Sequence, residues 1–358
     1  MTLRFASFGD LRRVARAACA CAVAALAAAG AGCDRSESVT IYTSADEQVA
    51  RPVFERFERE TGIRVDAKFD GEATKTTGLA NLLRSERERP RADIFWSNEQ
   101  AANVALALEG LTVDSGAPAA ATWPAAWRDP QGRWCAFAAR ARVIVYRPDR
   151  VAQPPQRWSE LADPTWKGRV AIADPRFGTT RSHFGAMAAY WNAHPDADSF
   201  DAFCTALAAN EPRVLTSGNA GVIDAVARGE ADIGATDTDD VLAAQARGLK
   251  VAMVFPRHAP DGVAGGGTFL IPNTVAMVAG APHPEAARRF IEFMLAPATE
   301  RQLAGEPGRH APIVTLPQEG DLAIPDPLLV DPVRVSEAAD DAVRRFTAAR
   351  QGAAGPVK

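Results

Sequence analysis

Histidine, tyrosine and cysteine are scarce in this chain: of 358 residues, 5 are His, 3 are Tyr and 5 are Cys. Cys19, Cys21 and Cys33 lie within the first 33 residues, so only Cys135 and Cys204 remain for the folded body. Both sit among apolar neighbours, which predicts buried free thiols rather than a bridge. No Cys-x-x-Cys and no Cys/His array is present, which excludes a structural zinc site. The histidines show no metalloprotease spacing, and there is no nucleophile elbow, P-loop or dinucleotide fingerprint. These absences argue against an enzyme, and no catalytic cofactor is expected. Positive charge is not in excess either, with 40 Lys and Arg against 44 Asp and Glu, a net of −4. The first 33 residues hold Arg4, Arg12, Arg13 and Arg16 against Asp10, a net of +3, which leaves about −7 on the remainder. Mild acidity of this kind argues against a nucleic-acid partner.

What is present begins with a leader. Arg12, Arg13 and Arg16 precede a short Ala-rich apolar stretch that ends at Gly30-Ala31-Gly32-Cys33. Residues 1–33 therefore read as a secretory signal, too short and too Ala-rich for a stable membrane span. The terminal Cys33 gives it the form of a lipoprotein signal, in which that Cys becomes the lipidated first residue. The expected site of work is outside the cytoplasm, on a membrane face.

About 325 residues follow, more than a single comfortable core, so two domains are expected. Short apolar strands alternate with amphipathic helices, which predicts an α/β architecture. Val39–Tyr42, Arg64–Phe69 and Ala92–Trp96 read as strands, with helices at Gln48–Thr61, Gly78–Arg87 and from Glu99 to Leu108. The run Trp134–Tyr146 is long enough to cross between domains. A second α/β set follows, and a second extended run at Thr268–Val278 returns. The expected division is 38–138 plus 268–330 as one lobe, 139–267 as an inserted second lobe, and 331–358 as a C-terminal helix and tail. Two domains joined by paired strand crossings close on a ligand like a hinge, which points to capture of a small solute.

Several phrases, in order, sharpen this. They are Ile41-Tyr42-Thr43-Ser44, Ala92-Asp93-Ile94-Phe95-Trp96-Ser97-Asn98-Glu99, Ala139-Arg140-Ala141-Arg142-Val143-Ile144-Val145-Tyr146 and Phe177-Gly178-Thr179-Thr180. Further on stand Ala227-Arg228-Gly229-Glu230-Ala231-Asp232-Ile233-Gly234, Ile271-Pro272-Asn273-Thr274 and Ala281-Pro282-His283-Pro284-Glu285. Across residues 38 to about 315 the chain resembles the bacterial extracellular solute-binding proteins of the ferric-iron type, the receptors of ABC importers. The resemblance implies a two-lobe periplasmic-binding-protein fold, type II-like, with a hinged interlobe cleft. It also implies a periplasmic monomer that docks on an importer permease. Asp34 after Cys33 fits retention of its lipid anchor on the inner membrane.

The candidate ligand residues fall at the carboxyl ends of strands, where open α/β sheets place ligands. Thr179, Thr180 and Arg181 follow a strand and open a helix, whose free N–H groups and dipole favour an anion. Plain N-capping by Thr is the alternative. In the resembled family this position holds a phosphate or carbonate beside the metal, and Asn219 matches a second anion-contacting position. Ser44, Asp46, Ser97, Asn98, Glu99, Asp237, Asp239 and Asp240 complete the candidate set. The best-known ferric binders hold iron with an adjacent Tyr pair, a His and a Glu. Glu99 keeps the Glu position, Asp46 falls where the His would be, and Asp239-Asp240 fall where the Tyr pair would be.

With only Tyr42, Tyr146 and Tyr190 present, a tyrosinate iron site is excluded. Glu99, Asp239 and Asp240 remain as metal candidates, for hard carboxylate oxygens suit a hard cation such as ferric iron. Equally, they suit the amine of an organic zwitterion such as an aminoalkylphosphonate, and helix capping by one Asp is the plain alternative. Arg140 and Arg142 flank the first crossing. A guanidinium fork suits phosphate, but an Arg in a long strand more often pairs with a nearby Asp. An exported metal-dependent hydrolase and a ligand-sensing lipoprotein are the more distant readings.

Overall fold

A computed structural model describes residues 37–71, 76–305, 308–315 and 318–353. The expected signal and Cys33 lie outside the described residues. From Ser38 onward the chain forms one compact unit. Its first strands are β1 (Ser38–Thr43), β2 (Arg64–Phe69) and β3 (Ile94–Ser97). They alternate with helices α1 (Glu47–Thr61), α2 (Thr77–Ser85) and α3 (Gln100–Leu108). Helix α1 buries Ala50, Val53, Phe54 and Phe57 on one stripe and closes at Gly62, whose φ of 73° is the left-handed turn that glycine tolerates. After β4 (Thr112–Val113) and the short α4 (Pro118–Thr122) comes β5 (Cys135–Tyr146), buried along eleven of its twelve residues.

The next set comprises β6 (Val170–Ala173), α5 (Gly178–Ala193), α6 (Phe200–Ala209), β7 (Arg213–Leu215) and α7 (Gly218–Ala227). It continues with β8 (Ile233–Asp237), α8 (Thr238–Ala246) and β9 (Ala252–Val254). The chain then returns as β10 (Leu270–Val278), followed by α9 (Pro284–Met294), α10 (Pro297–Ala304) and α11 (Pro332–Ala353).

The strands run in the order β2-β1-β3-β10-β5-β8-β6-β7, with β4 on β10 and β9 on β5. Strand β5 belongs to both halves. Cys135–Ala141 pairs antiparallel with β10, and Arg142–Tyr146 pairs with β8 and β9. The result is the two-lobe α/β architecture, each half-sheet carrying its own apolar clusters. The return crossing lies beside the first: Arg142 N–H donates to Phe269 O at 3.0 Å, and Leu270 pairs with Ala141. Strand β10 begins two residues later than the sequence suggests. Thr268 spends its backbone groups on Asp326 and Leu328 instead of the ladder.

A buried pair of histidines ties the return to α5. His258 Nδ1 lies 2.7 Å from Gly267 O, and His258 Nε2 lies 2.9 Å from His183 Nε2 of α5. Burial pushes His258 down to about 4 and His183 well below its usual range, so both rings are neutral. With Nδ1–H given to the carbonyl, His258 Nε2 accepts and His183 donates. Arg142 and Arg257 are the charged neighbours, and both oppose protonation. The unfolded chain takes up these protons first, near pH 6.5. Stability is therefore complete above that pH and falls as pH drops from about 6.5 towards about 4. We expect the fall to be about 1.4 kcal/mol per pH unit for each ring. Urea denaturation at pH 7.5, 6 and 5 checks this. A His258→Asn chain as steep in pH as the wild type would refute it.

Helix α11 packs on α5 and α6 and also on α3, so it spans both halves. The approach to α5 is close: a Cβ on Gly185 would meet Val335 O at 2.4 Å. Among the described residues no helix is long and apolar enough to cross a membrane. Cys135 and Cys204 are buried free thiols, pushed up to about 12 by burial.

Candidate ligand cleft

A cavity of about 780 Å³ opens at the carboxyl ends of β1, β6 and β8. Asp46, from the β1–α1 turn, and Asn98, from the β3–α3 turn, face it from one half. Thr179 and Thr180 in the first turn of α5, Asn219 in α7, Asp237 at the end of β8, and Asp239 and Asp240 in α8 face it from the other. Arg140, midway along β5, is its floor. Asp70, Asp174 and Arg247 also line it, and the sequence had not singled them out.

The acidic cluster is answered by guanidinium. Asp237 and Arg142 are cross-strand partners in the β5–β8 ladder. Arg142 Nη1 donates to Asp237 Oδ1 at 2.7 Å, and neither side chain is exposed. Asp237 Oδ2 accepts from Thr179 Oγ1 and from Asn219 Nδ2, both at 2.8 Å. Arg140 Nη1 lies 3.2 Å from the same oxygen and 2.9 Å from Asp239 Oδ2, while Arg140 Nη2 donates to Asn98 O at 2.8 Å. Arg140 is therefore a strut between the halves. Burial alone would oppose its charge, but Asp239, Asp237 and Asp240 more than compensate and hold it protonated. Burial also pushes the Asp239 carboxyl up, against the pull of Arg140, and Asp239 Oδ1 is buried without a partner.

Carboxylate oxygens of Asp237, Asp239 and Asp240 come within 4.8 Å of one another, close enough to share a cation. The helix-capping alternative fails for Asp237. It stands at the N-cap of α8, but its carboxylate makes no cap bond. Thr179 is no cap either, since α5 begins at Gly178 after Phe177.

Four candidates stand elsewhere. Glu99 is the cap of α3, accepting from Ala101 N–H at 2.8 Å and Ala102 N–H at 3.0 Å, and it takes Ser182 Oγ at 2.6 Å from α5. Burial pushes its pKa up, and its oxygens join α3 to α5. Ser44 Oγ accepts from Asn98 N–H, and Ser97 Oγ donates to Glu99 O, so both brace the loop beneath the cleft. Arg181 pairs with Asp340 of α11.

Sequence reasoning also missed His310. It is buried beside the Ala139–Ala311 bridge, and burial pushes it down to about 3. Nothing in its local sequence marks it, because only that bridge brings it within the electrostatic influence of Arg140 and Asp46.

Residues 53–315 match the family described as bacterial extracellular solute-binding proteins. The iron uptake protein A1 of Synechocystis is 27% identical over 278 residues, 75% of this chain and 74% of that protein. The Fe(3+)-binding periplasmic protein of Serratia marcescens is 31% identical over 139 residues, 38% of this chain and 40% of that protein. Among solved structures, iron-bound HitA from Pseudomonas aeruginosa superposes with a TM-score of 0.75 at 20% identity, covering 87% of this chain and 99% of that one. AfuA from Actinobacillus pleuropneumoniae, with fructose-6-phosphate bound, gives a TM-score of 0.68 at 20% identity, over 87% and 97%.

Proposed function

Because this chain belongs to the bacterial extracellular solute-binding proteins, we propose that it is the capture component of an ABC importer. It takes a small solute between its lobes on the periplasmic side, held there as a monomer by a lipid on Cys33, and passes it to the permease. The observation that carries this reading is the 780 Å³ cleft, walled by both half-sheets and floored by the strand they share. A ligand that touches both walls stabilises the closed arrangement over the open one. Lobes at 38–138 plus 268–330 and at 139–267 would close on it.

Ferric iron is the cargo we favour. The similar proteins of Synechocystis and Serratia are named for iron, and the oxygens of Asp239 and Asp240, with Asp46 near them, are hard ligands of the kind iron takes. A second reading rests on Arg140, which already stands between Asp237 and Asp239. An organic cation or zwitterion would then place its amine against Asp239 Oδ1. Native mass spectrometry with metal analysis of the purified protein separates the two. A thermal-shift panel of ferric salts, phosphonates, polyamines and thiamine follows. Stoichiometric iron and a ferric shift support the first reading, and an organic shift without iron supports the second. A protein that none of these stabilises refutes both.

A further inference from the structure

We infer that Asp237 is a resident anion: its carboxylate fills the donor cradle formed by Thr179, Asn219, Arg142 and Arg140, so the cleft takes a cationic solute without a separate small anion. This deepens the solute-capture reading and rests on it for the role of the cleft.

The cradle has the chemistry of an anion site. Thr179 stands in the first turn of α5, at the positive end of a sixteen-residue helix. Two guanidinium groups, a hydroxyl and an amide converge there: Arg142, Thr179 and Asn219 donate to Asp237, and Arg140 stands beside it as a second cation while its own hydrogen bonds go to Asp239 and Asn98. Oδ1 takes Arg142, and Oδ2 takes Thr179 and Asn219. A carboxylate offers about four acceptor positions, and this one meets three hydrogen-bond donors and a further cation at 3.2 Å. Asp237 is fully buried at a strand end, locked in register opposite Arg142, so it does not swing aside as a surface carboxylate would. A second anion at the same donors would share them with a like charge at contact distance.

The consequence for the cargo follows from what is left over. Arg142 is committed to Asp237 and Arg140 is shared between Asp237 and Asp239, while Asp46, Asp239 and Asp240 all line the cleft. Asp239 Oδ1 is buried there without a partner. A group that fits carries positive charge and brings no phosphate or carbonate with it.

The test uses small anions alone, so its failure would leave solute capture standing. Thermal shifts of the whole purified protein are measured with phosphate, bicarbonate and formate, for the wild type and for Asp237→Ala. The wild type is expected to show no saturable shift with any of the three. Asp237→Ala is expected to gain one of about 3–5 °C at a hundredfold excess over the dissociation constant, formate serving as the missing carboxylate. Recovery of folded Asp237→Ala only with formate present is the same result. A wild type saturably stabilised by phosphate or bicarbonate overturns the inference. So does an Asp237→Ala protein indifferent to all three. If the variant cannot be recovered under any condition, the wild-type arm decides.

Discussion

Replacing Arg142 by Leu is expected to cost about 3–5 kcal/mol of folding stability. The side chain is wholly buried, and its Nη1 reaches Asp237, Asn219 and Thr179 at 2.7, 3.2 and 3.3 Å. Removing it strands a fully buried carboxylate with Arg140, at 3.2 Å, as its remaining cation. The cost therefore comes from the orphaned charge rather than from the lost packing. Pairing the change with Asp237→Leu should recover most of the loss, because an apolar pair of similar volume replaces a buried ion pair at little net cost. Urea denaturation of the two chains gives the comparison. A double variant no more stable than the single one would mean that the pair is not acting as a charge couple.

Asp239→Ala is expected to leave folding intact and weaken solute binding by about ten- to a hundredfold, or ~1.4–2.8 kcal/mol. Losing an acidic residue from the first turn of α8 removes some favourable helix-dipole energy. That loss is offset by relief of repulsion from Asp237 and Asp46. Arg140 keeps Asp237 and the Asn98 carbonyl as partners. Binding should suffer because Asp239 Oδ1 is a buried acceptor with no partner of its own. Calorimetric titration with whichever cargo the ligand panel identifies checks it. An unchanged dissociation constant would remove Asp239 from the site.

Much of the architecture was legible from periodicity. The α1 stripe of Val53, Phe54 and Phe57 and the apolar run of β5 both announce themselves over a few residues. The cleft residues were legible for a related reason, since most follow a strand directly and so cluster at one edge of the sheet. What those residues do to each other was not. The Asp237–Arg142 bond joins positions 95 residues apart, and only the β5–β8 register makes them neighbours. The sequence reading paired an Arg of the crossing strand with a nearby Asp, and the register shows that Arg142 takes Asp237. Glu99 shows how one residue answers two readings. Its position matches a metal-binding Glu in the resembled family, and in the fold it caps α3 by accepting from two open N–H groups.

The bridging of both halves by α11 has a consequence for how the lobes can move. Two neighbouring strands joining two bodies permit bending about the line between them, but they also permit twisting. The third attachment, where Ser336 Oγ meets Ala101 O and Asp340 meets Arg181, removes much of the torsional freedom. We therefore expect the lobes to open along one swing, with α3 sliding along α11, so that the cleft walls meet in the same alignment at each closure. A chain shortened before Pro332 should lose that fidelity, and small-angle scattering would show it as a broader spread of lobe orientations.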